Sequence, residues 1–362
     1  MGGWLAAWAV LLAGAGAGAP LAQVSVREDG AIQVRGEPFF PVGFIHVSSA
    51  GDDAKRSSDL RMIVAGGFNL MQAVIKPGDG AFLDEAETFG MNILAECADA
   101  EVLKAAVKEF KGKRAIVGWS LAEDADNGKR LSKEVVALRK EIKAADPGRL
   151  TYITCGDHEK CVNFFDGADV IGLKSFPLPA GHLSGPGNLF TSANRAAGET
   201  KRSFVGVIQA WAPKGSRAPT ADEVRNMTYQ ALVQGARGIL YHAYLDKDWD
   251  MGGQQDLVSG IGVVVSEIQS LRQVLLGGKL RRIDPGTADV FVGAWSFQGR
   301  ITLVVVNTSG QPKKVSITLP GEAAGGGRPQ FRMPAKKLVV EGTQLMGELA
   351  AADVHIYSFE TK

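Results

Sequence analysis

The sequence predicts an α/β fold, a (β/α)8 TIM barrel followed by a small antiparallel β-sandwich. Three observations carry this expectation. Eight apolar runs between residues 38 and 280 are each followed by a helical or loop stretch, and eight such units in about 240 residues is the count of a barrel. From Arg281 onward, short strands succeed one another with Gly, Pro and Ser turns and no helix between them, the pattern of a sandwich of about 80 residues. Between these, residues 115–126 (AIVGWSLAEDAD) set Glu123, Asp124 and Asp126 directly after an apolar strand. In a barrel, the carboxyl end of a strand is where chemistry is done.

A chain of 362 residues has room for a barrel and one smaller domain, and 45% hydrophobic with 22% charged residues is the composition of a soluble globular protein. The formal net charge of +1 gives no electrostatic case for nucleic acid or an anionic membrane as partner. Residues 1–22 hold the apolar stretch WLAAWAVLL and then an Ala/Gly tract. This suits the core and cleavage zone of a signal peptide, although no Lys or Arg precedes it, and the competing reading is an uncleaved anchor. The expected location is therefore periplasmic or extracellular, with no membrane association after signal removal. No later charge-free stretch approaches the ~20 residues that span a bilayer. Of the three cysteines, Cys155 and Cys161 bracket GDHEK. In an oxidising compartment a disulfide ranks first for them, unpaired thiols second and a metal shared with His158 third.

Taken in order, residues 24–36 alternate around Asp29-Gly30 and form a β-hairpin, the unit 23–37, capping the bottom of the barrel. The first barrel unit pairs a strand at 39–47 with a helix near 54–64 that stops at Gly66-Gly67. The second and third pair strands at 68–75 and 91–96 with helices near 81–89 and 100–110. The fourth is the acidic stretch with a helix at 131–145, whose Leu131, Val135, Leu138 and Ile142 mark one face before Pro147-Gly148. Strands at 150–154, 168–176, 204–211 and 238–245 follow. The seventh helix opens at the capping box Thr220-x-x-Glu223, and a long amphipathic helix at 258–276 ends the barrel domain, 38–280. The sandwich, 281–362, has strands at 290–297, 300–307, 314–319, 337–340 and 354–359, with 321–329 as a loop.

Four stretches carry a resemblance. DGAIQVRGEPFFPVGF, VGWSLAEDAD, ADVIGLKSFP and PTADEVRNMTYQALVQGARGILYHAYLD resemble clan A glycoside hydrolases and their uncharacterised relatives, which join a (β/α)8 barrel to a C-terminal β-sandwich. The resemblance implies a carbohydrate substrate or ligand and carboxylate acid/base chemistry without a cofactor. In such relatives the fourth strand commonly ends Trp-x-x-x-Asp-Glu-Pro with the Glu as acid/base. The match sets Glu123 on that Asp, Asp124 on the catalytic Glu and Ala125 on the Pro, so the acid is one methylene shorter. At the end of the seventh strand, where those enzymes carry a nucleophilic Glu, this chain has Gln209.

Asp124 is accordingly the first candidate for general acid, because a leaving glycosidic oxygen must be protonated. The alternative is a solvated loop aspartate. Glu123 either replaces it as acid or orients it. The second carboxylate is expected from Asp246 or Glu96, each otherwise a structural ion pair with Lys174 or Lys247. His46, Gln72, Lys174, Gln209, His242 and Tyr244 fall near strand ends, where polar tips bond sugar hydroxyls. A lone strand histidine is otherwise a satisfied core residue. Trp119, Trp211 and Trp249 offer faces for pyranose rings, with barrel core the equal alternative for Trp119. Glu223 is assigned to its capping box, and Glu199 to the bottom of the seventh strand. No GxGxxG or GxxxxGKS/T follows a strand, and neither HExxH nor GxSxG occurs, so no cofactor or metal is expected. The rival to the hydrolase is a catalytically inactive glycan-binding protein on the same barrel.

Overall fold

The computed structural model describes residues 23–47, 52–198, 202–331 and 338–361. The expected signal peptide and Glu199 lie outside the described residues. The N-terminal segment forms a three-stranded sheet rather than a two-stranded hairpin, with β1 (Val24–Val26), β2 (Ile32–Val34) and β3 (Glu37–Phe39) in sequence order. Val24, Ile32, Val34 and Phe39 share one apolar cluster with Leu70, Leu94, Val117, Leu150 and Leu240. These five sit at or near the start of barrel strands, so the sheet plugs the N-terminal end of the barrel and leaves a cavity of only about 40 Å3.

The barrel strands are β4 (Val42–Val47), β5 (Leu70–Val74), β6 (Asn92–Glu96), β7 (Ile116–Ala122), β8 (Leu150–Cys155), β9 (Val170–Ser175), β10 (Ser203–Gln209) and β11 (Ile239–His242). They close in chain order, all parallel, with β11 returning to β4. Both faces of each strand are covered, inside by the barrel core and outside by helices, which is why the apolar runs do not alternate. The helices are α1 (Asp53–Ala65), α2 (Gly80–Thr88), α3 (Ala100–Phe110), α4 (Ser132–Ala145), α5 (Gly185–Ala197), α6 (Ala221–Val233) and α7 (Gln255–Gly277). Local chemistry sets their starts: Asp52 accepts from Lys55 N, Asp99 from Glu101 and Val102 N, and Thr220 and Glu223 close the expected capping box. No described helix is long and apolar enough to cross a membrane.

The fifth unit departs from the pattern. A short 3-10 helix, Cys161–Gly167, stands in place of an α-helix between β8 and β9. Cys155 and Cys161 are free, buried thiols, which corrects the expected disulfide. Both lie in the apolar layer between strands and helices. Burial pushes the Cys161 thiol up to about 11 and raises Cys155 as well, so neither is a reactive thiolate.

After β11 a short hairpin, β12 (Leu245–Asp246) with β13 (Trp249–Asp250), leads into α7. The C-terminal sheets then comprise β14 (Lys279–Ile283), β15 (Val290–Phe297), β16 (Arg300–Asn307), β17 (Lys313–Thr318), β18 (Ala323–Pro329), β19 (Val339–Glu341), β20 (Gln344–Leu349) and β21 (Val354–Thr361). Five strands run β14-β15-β16-β21-β18 and three run β17-β20-β19, around a separate apolar core. The stretch expected as a loop at 321–329 is largely the edge strand β18. Its glycines hide it, since pairing with β21 uses only the backbone; at Gly327 a Cβ would come 2.5 Å from the Phe359 ring.

Helix α6 is buried on every side from Val224 to Val233 because it lies between barrel and sandwich. Arg225 pairs with Glu267 of α7 at 2.9 Å and donates to the Val354 carbonyl. Asn226 donates to the carbonyls of Asn307 and Ala352. Asn226 and Asn307 head the two glycosylation sequons of the chain, and both are fully buried with their amides committed to backbone oxygens. The folded chain offers neither for glycosylation.

Asp169 ties α4 to the barrel. Its carboxylate meets Arg139 at 2.6 Å and Lys143 at 3.3 Å, and accepts from the Thr151 N–H. Burial alone would raise its pKa, but the Thr151 N–H and Arg139 outweigh burial and hold it below the usual aspartate range. A depressed carboxylate stabilises the fold above its unfolded value and loses that contribution as pH falls through the folded one. Asp169→Asn is therefore expected to cost about 1–3 kcal/mol at neutral pH. Urea unfolding of both chains checks this, and the gap between them should narrow toward zero in acid.

Candidate active site

Six of the thirteen residues singled out from the sequence converge at the C-terminal mouth of the barrel. Gln72 and Glu96 come from β5 and β6, His46 from β4, Glu123 and Asp124 from the turn after β7, and Lys174 from β9. Their side chains form one chain of polar contacts. Gln72 Nε2 donates to Glu96 Oε2 at 3.0 Å, and that oxygen lies 3.6 Å from His46 Nδ1. His46 Nε2 meets Glu123 Oε1 at 3.1 Å, and Lys174 Nζ donates to the same oxygen at 2.8 Å. Lys174 also reaches both carboxylate oxygens of Asp124, at 2.9 and 3.0 Å.

Local backbone features aim these groups. His46 sits where the β4–β5 register shifts, with φ of 55°. A bulge of this kind re-aims a side chain at a barrel rim. Asp124 also has a positive φ, 46°, a conformation that costs a non-glycine residue about 1 kcal/mol or more. The Asp124 N–H donates to Thr154 Oγ1 at 2.7 Å, and the following Ala125 N–H to the Thr154 carbonyl. Asp126 turns away and accepts from the N–H groups of Gly156 and Asp157. The acidic triplet thus divides into two site residues and one loop staple.

The electrostatics follow from burial and partners. Burial alone would lower the pKa of His46, but Glu123 and Glu96 outweigh it and raise it to about 10. Burial pulls Glu123 up, while His46 and Lys174 pull it further down, so it is held firmly ionised. Lys174 is likewise raised against burial by Glu123 and Asp124. His242 goes the other way: burial, then repulsion from Lys174 and His46, keep its ring neutral. The ring stacks on Phe176 at 4.6 Å and stands edge-on to His46 and Trp211, at 4.9 and 5.5 Å. His242 Nδ1 and Trp211 Nε1 are buried without a hydrogen-bond partner. Beside this cluster lies a groove of about 350 Å3 lined by Glu96, Ser120, Glu123, Asp124, Asn127 and Lys129.

The remaining candidates go elsewhere. Trp119 is fully buried in the layer between strands and helices, its indole N–H on Asp146. It points outward from the barrel, not into the mouth. Tyr244 is turned the same way and bonds Asp59 of α1. The Gln209 amide is spent on the backbone of Leu178 and Trp211, clamping the loop after β9. Asp246 accepts from the Lys247 N–H in the β12–β13 hairpin, and Trp249 donates to the Ala243 carbonyl. Phe176 and Thr154 were missed. Phe176 directly follows β9, its ring 5.3 Å from Lys174 Nζ, and Thr154 is the penultimate residue of β8; those strand-end placements are the signals that point to them.

A metal was not expected, yet His46, Glu123 and His242 each present one ligand atom, all within 4.8 Å of one another.

No family model matches the chain, and no curated protein does. Solved structures do match its fold. A GH30 endoxylanase from Clostridium papyrosolvens C71 superposes with a TM-score of 0.54 at 12% identity, covering 94% of this chain and 98% of its own. A noncanonic maltogenic α-amylase from Thermotoga neapolitana gives 0.62 at 11% identity over 90% and 99%. An Anoxybacillus α-amylase gives 0.59 at 11% over 89% and 98%. The chain has a glycoside hydrolase-like (β/α)8 fold with a C-terminal β-domain, as its sequence led us to expect.

The pairing of His46 with Glu123 has a direct readout. In Glu123→Gln the imidazole loses its strongest partner, and its pKa should fall by more than about one unit toward the ordinary value near 6.5. Heteronuclear NMR of the His46 ring against pH measures this; an unchanged titration would show that Glu123 does not hold the proton there.

Proposed function

We propose that this chain is an exported carbohydrate-active enzyme that cleaves glycosidic bonds at the mouth of its barrel. The observation that carries the reading is the chain of contacts linking Glu96, His46, Glu123, Lys174 and Asp124 across four barrel strands beside an open groove. Asp124 is the acid. Its side chain is 42% exposed, against 28% for Glu123 and 20% for Glu96, so it is the carboxyl best placed to meet a leaving oxygen. Glu96 is the second carboxylate, because it lines the same groove, whereas Asp246 is engaged by its own turn. Glu123, pinned by His46 and Lys174, supplies fixed negative charge next to the developing positive charge of the sugar ring. The unpartnered indole N–H of Trp211 would be satisfied by a sugar hydroxyl. Export follows from the apolar leader at residues 1–22.

The rival reading, a glycan-binding protein without turnover, has its own observation. Gln209 is used up as a loop clamp where related barrels carry a nucleophile, and Lys174 neutralises the proposed acid.

Hydrolysis of aryl glycosides and polysaccharides by the purified chain separates the two. Asp124→Asn and Glu96→Gln should each lower kcat by about 10²–10⁴-fold with substrate binding retained. Saturable glycan binding by calorimetry without turnover of any substrate would establish the rival, and absence of both would refute the two together.

A further inference from the structure

His46, Glu123 and His242 come from three different parts of the barrel rim, yet one ligand atom of each lies within 4.8 Å of the others. Around a tetrahedral zinc, with metal–ligand distances near 2.1 Å, neighbouring ligand atoms lie about 3.4 Å apart. The His46 Nε2 to Glu123 Oε1 distance is already 3.1 Å, so only the His242 ring has to draw inward. His242 is 5% exposed and its Nδ1 has no hydrogen-bond partner. A buried polar atom left unsatisfied destabilises the fold, and a cation on this ring would relieve it where Nδ1 is the ligand nitrogen.

We propose that these three residues form a site for a divalent transition metal, with Zn2+ the closest match. Two imidazoles and one carboxylate are a donor set for zinc or its first-row neighbours rather than for Mg2+ or Ca2+. The surroundings fit as well. Glu96 Oε2 faces the far nitrogen of His46 at 3.6 Å and is itself held by Gln72, the carboxylate–histidine–metal arrangement that fixes ring orientation. Phe176 and Trp211 wall the His242 ring. The proton on His46 leaves as the metal arrives, the usual exchange at a histidine ligand.

Lys174 makes the proposal specific. Its ammonium donates to the same oxygen, Glu123 Oε1, that the metal would take. The two cations compete for it, and when the metal binds, Lys174 retains Asp124. Removing the lysine charge should therefore strengthen metal binding, an effect that stray association with surface histidines would not show. The site shares Glu123 and His46 with the proposed cleavage site, but its test reads metal binding alone and does not depend on activity.

The experiment is Zn2+ titration of the tag-free full chain, stripped with chelator, against a chromophoric competitor. One equivalent should bind. His242→Ala should weaken it by at least about 10-fold, Lys174→Met should tighten it several-fold, and His158→Ala, which alters an exposed ring, should leave it unchanged. Substituting Co2+ in the unaltered chain gives a visible absorption spectrum that reports coordination geometry without relying on a variant's folding. No stoichiometric binding, binding indifferent to His242→Ala, or binding only in Lys174→Met would each overturn the proposal. The last would mean that the ammonium already fills the cation's place.

Discussion

Lys174 is the contact on which the mouth of this barrel depends. Glu123 and Asp124 are consecutive, and each holds an oxygen within 3.0 Å of the same ammonium, so their carboxylates lie within about 6 Å of each other. At an effective dielectric near 20, two such charges repel by about 3 kcal/mol. The ammonium offsets this, and His46 does the same between Glu123 and Glu96. Two partly buried cations thus organise three carboxylates, and the left-handed backbone at Asp124 persists because Thr154 and Lys174 hold it from both sides.

The rest of the fold isolates that cluster. The N-terminal sheet fills the opposite end of the barrel with apolar side chains, so the polar groups gather at one end only. The sandwich grips the outside through α6, whose Arg225 and Asn226 bond across to it. At the end of β10 Gln209 serves to hold a loop, and the charged cluster is built instead from β4, β6, β7 and β9.

How far the site was legible depended on one geometric question, which way a strand-end residue points. Glu96 and Lys174 are the last and penultimate residues of their strands and Glu123 directly follows β7, and parallel strands in a closed barrel bring their ends together. Tyr244, two residues beyond β11, and Trp119, midway along β7, instead face the helices. In strands covered on both faces the residues carry no alternation to tell inside from outside. At His46 a register shift turns a residue into the mouth that regular alternation would not assign. Cys155 and Cys161 looked like a pair by spacing, yet spacing says nothing of the apolar layer that keeps both reduced thiols apart from solvent.

The sequence by itself determined the eight barrel strands, the change to antiparallel strands near residue 280, the capping box at Thr220 and the position of the acidic turn. Those follow from local rules, hydrophobic period and turn chemistry, that act over a few residues. The tertiary structure alone decided that His46 and Lys174 share Glu123, that His242 is buried beside them, and that Gln209 faces a loop. Each of those contacts joins residues more than 30 apart in the chain, and their distances are fixed by barrel closure and bulges that no local pattern encodes.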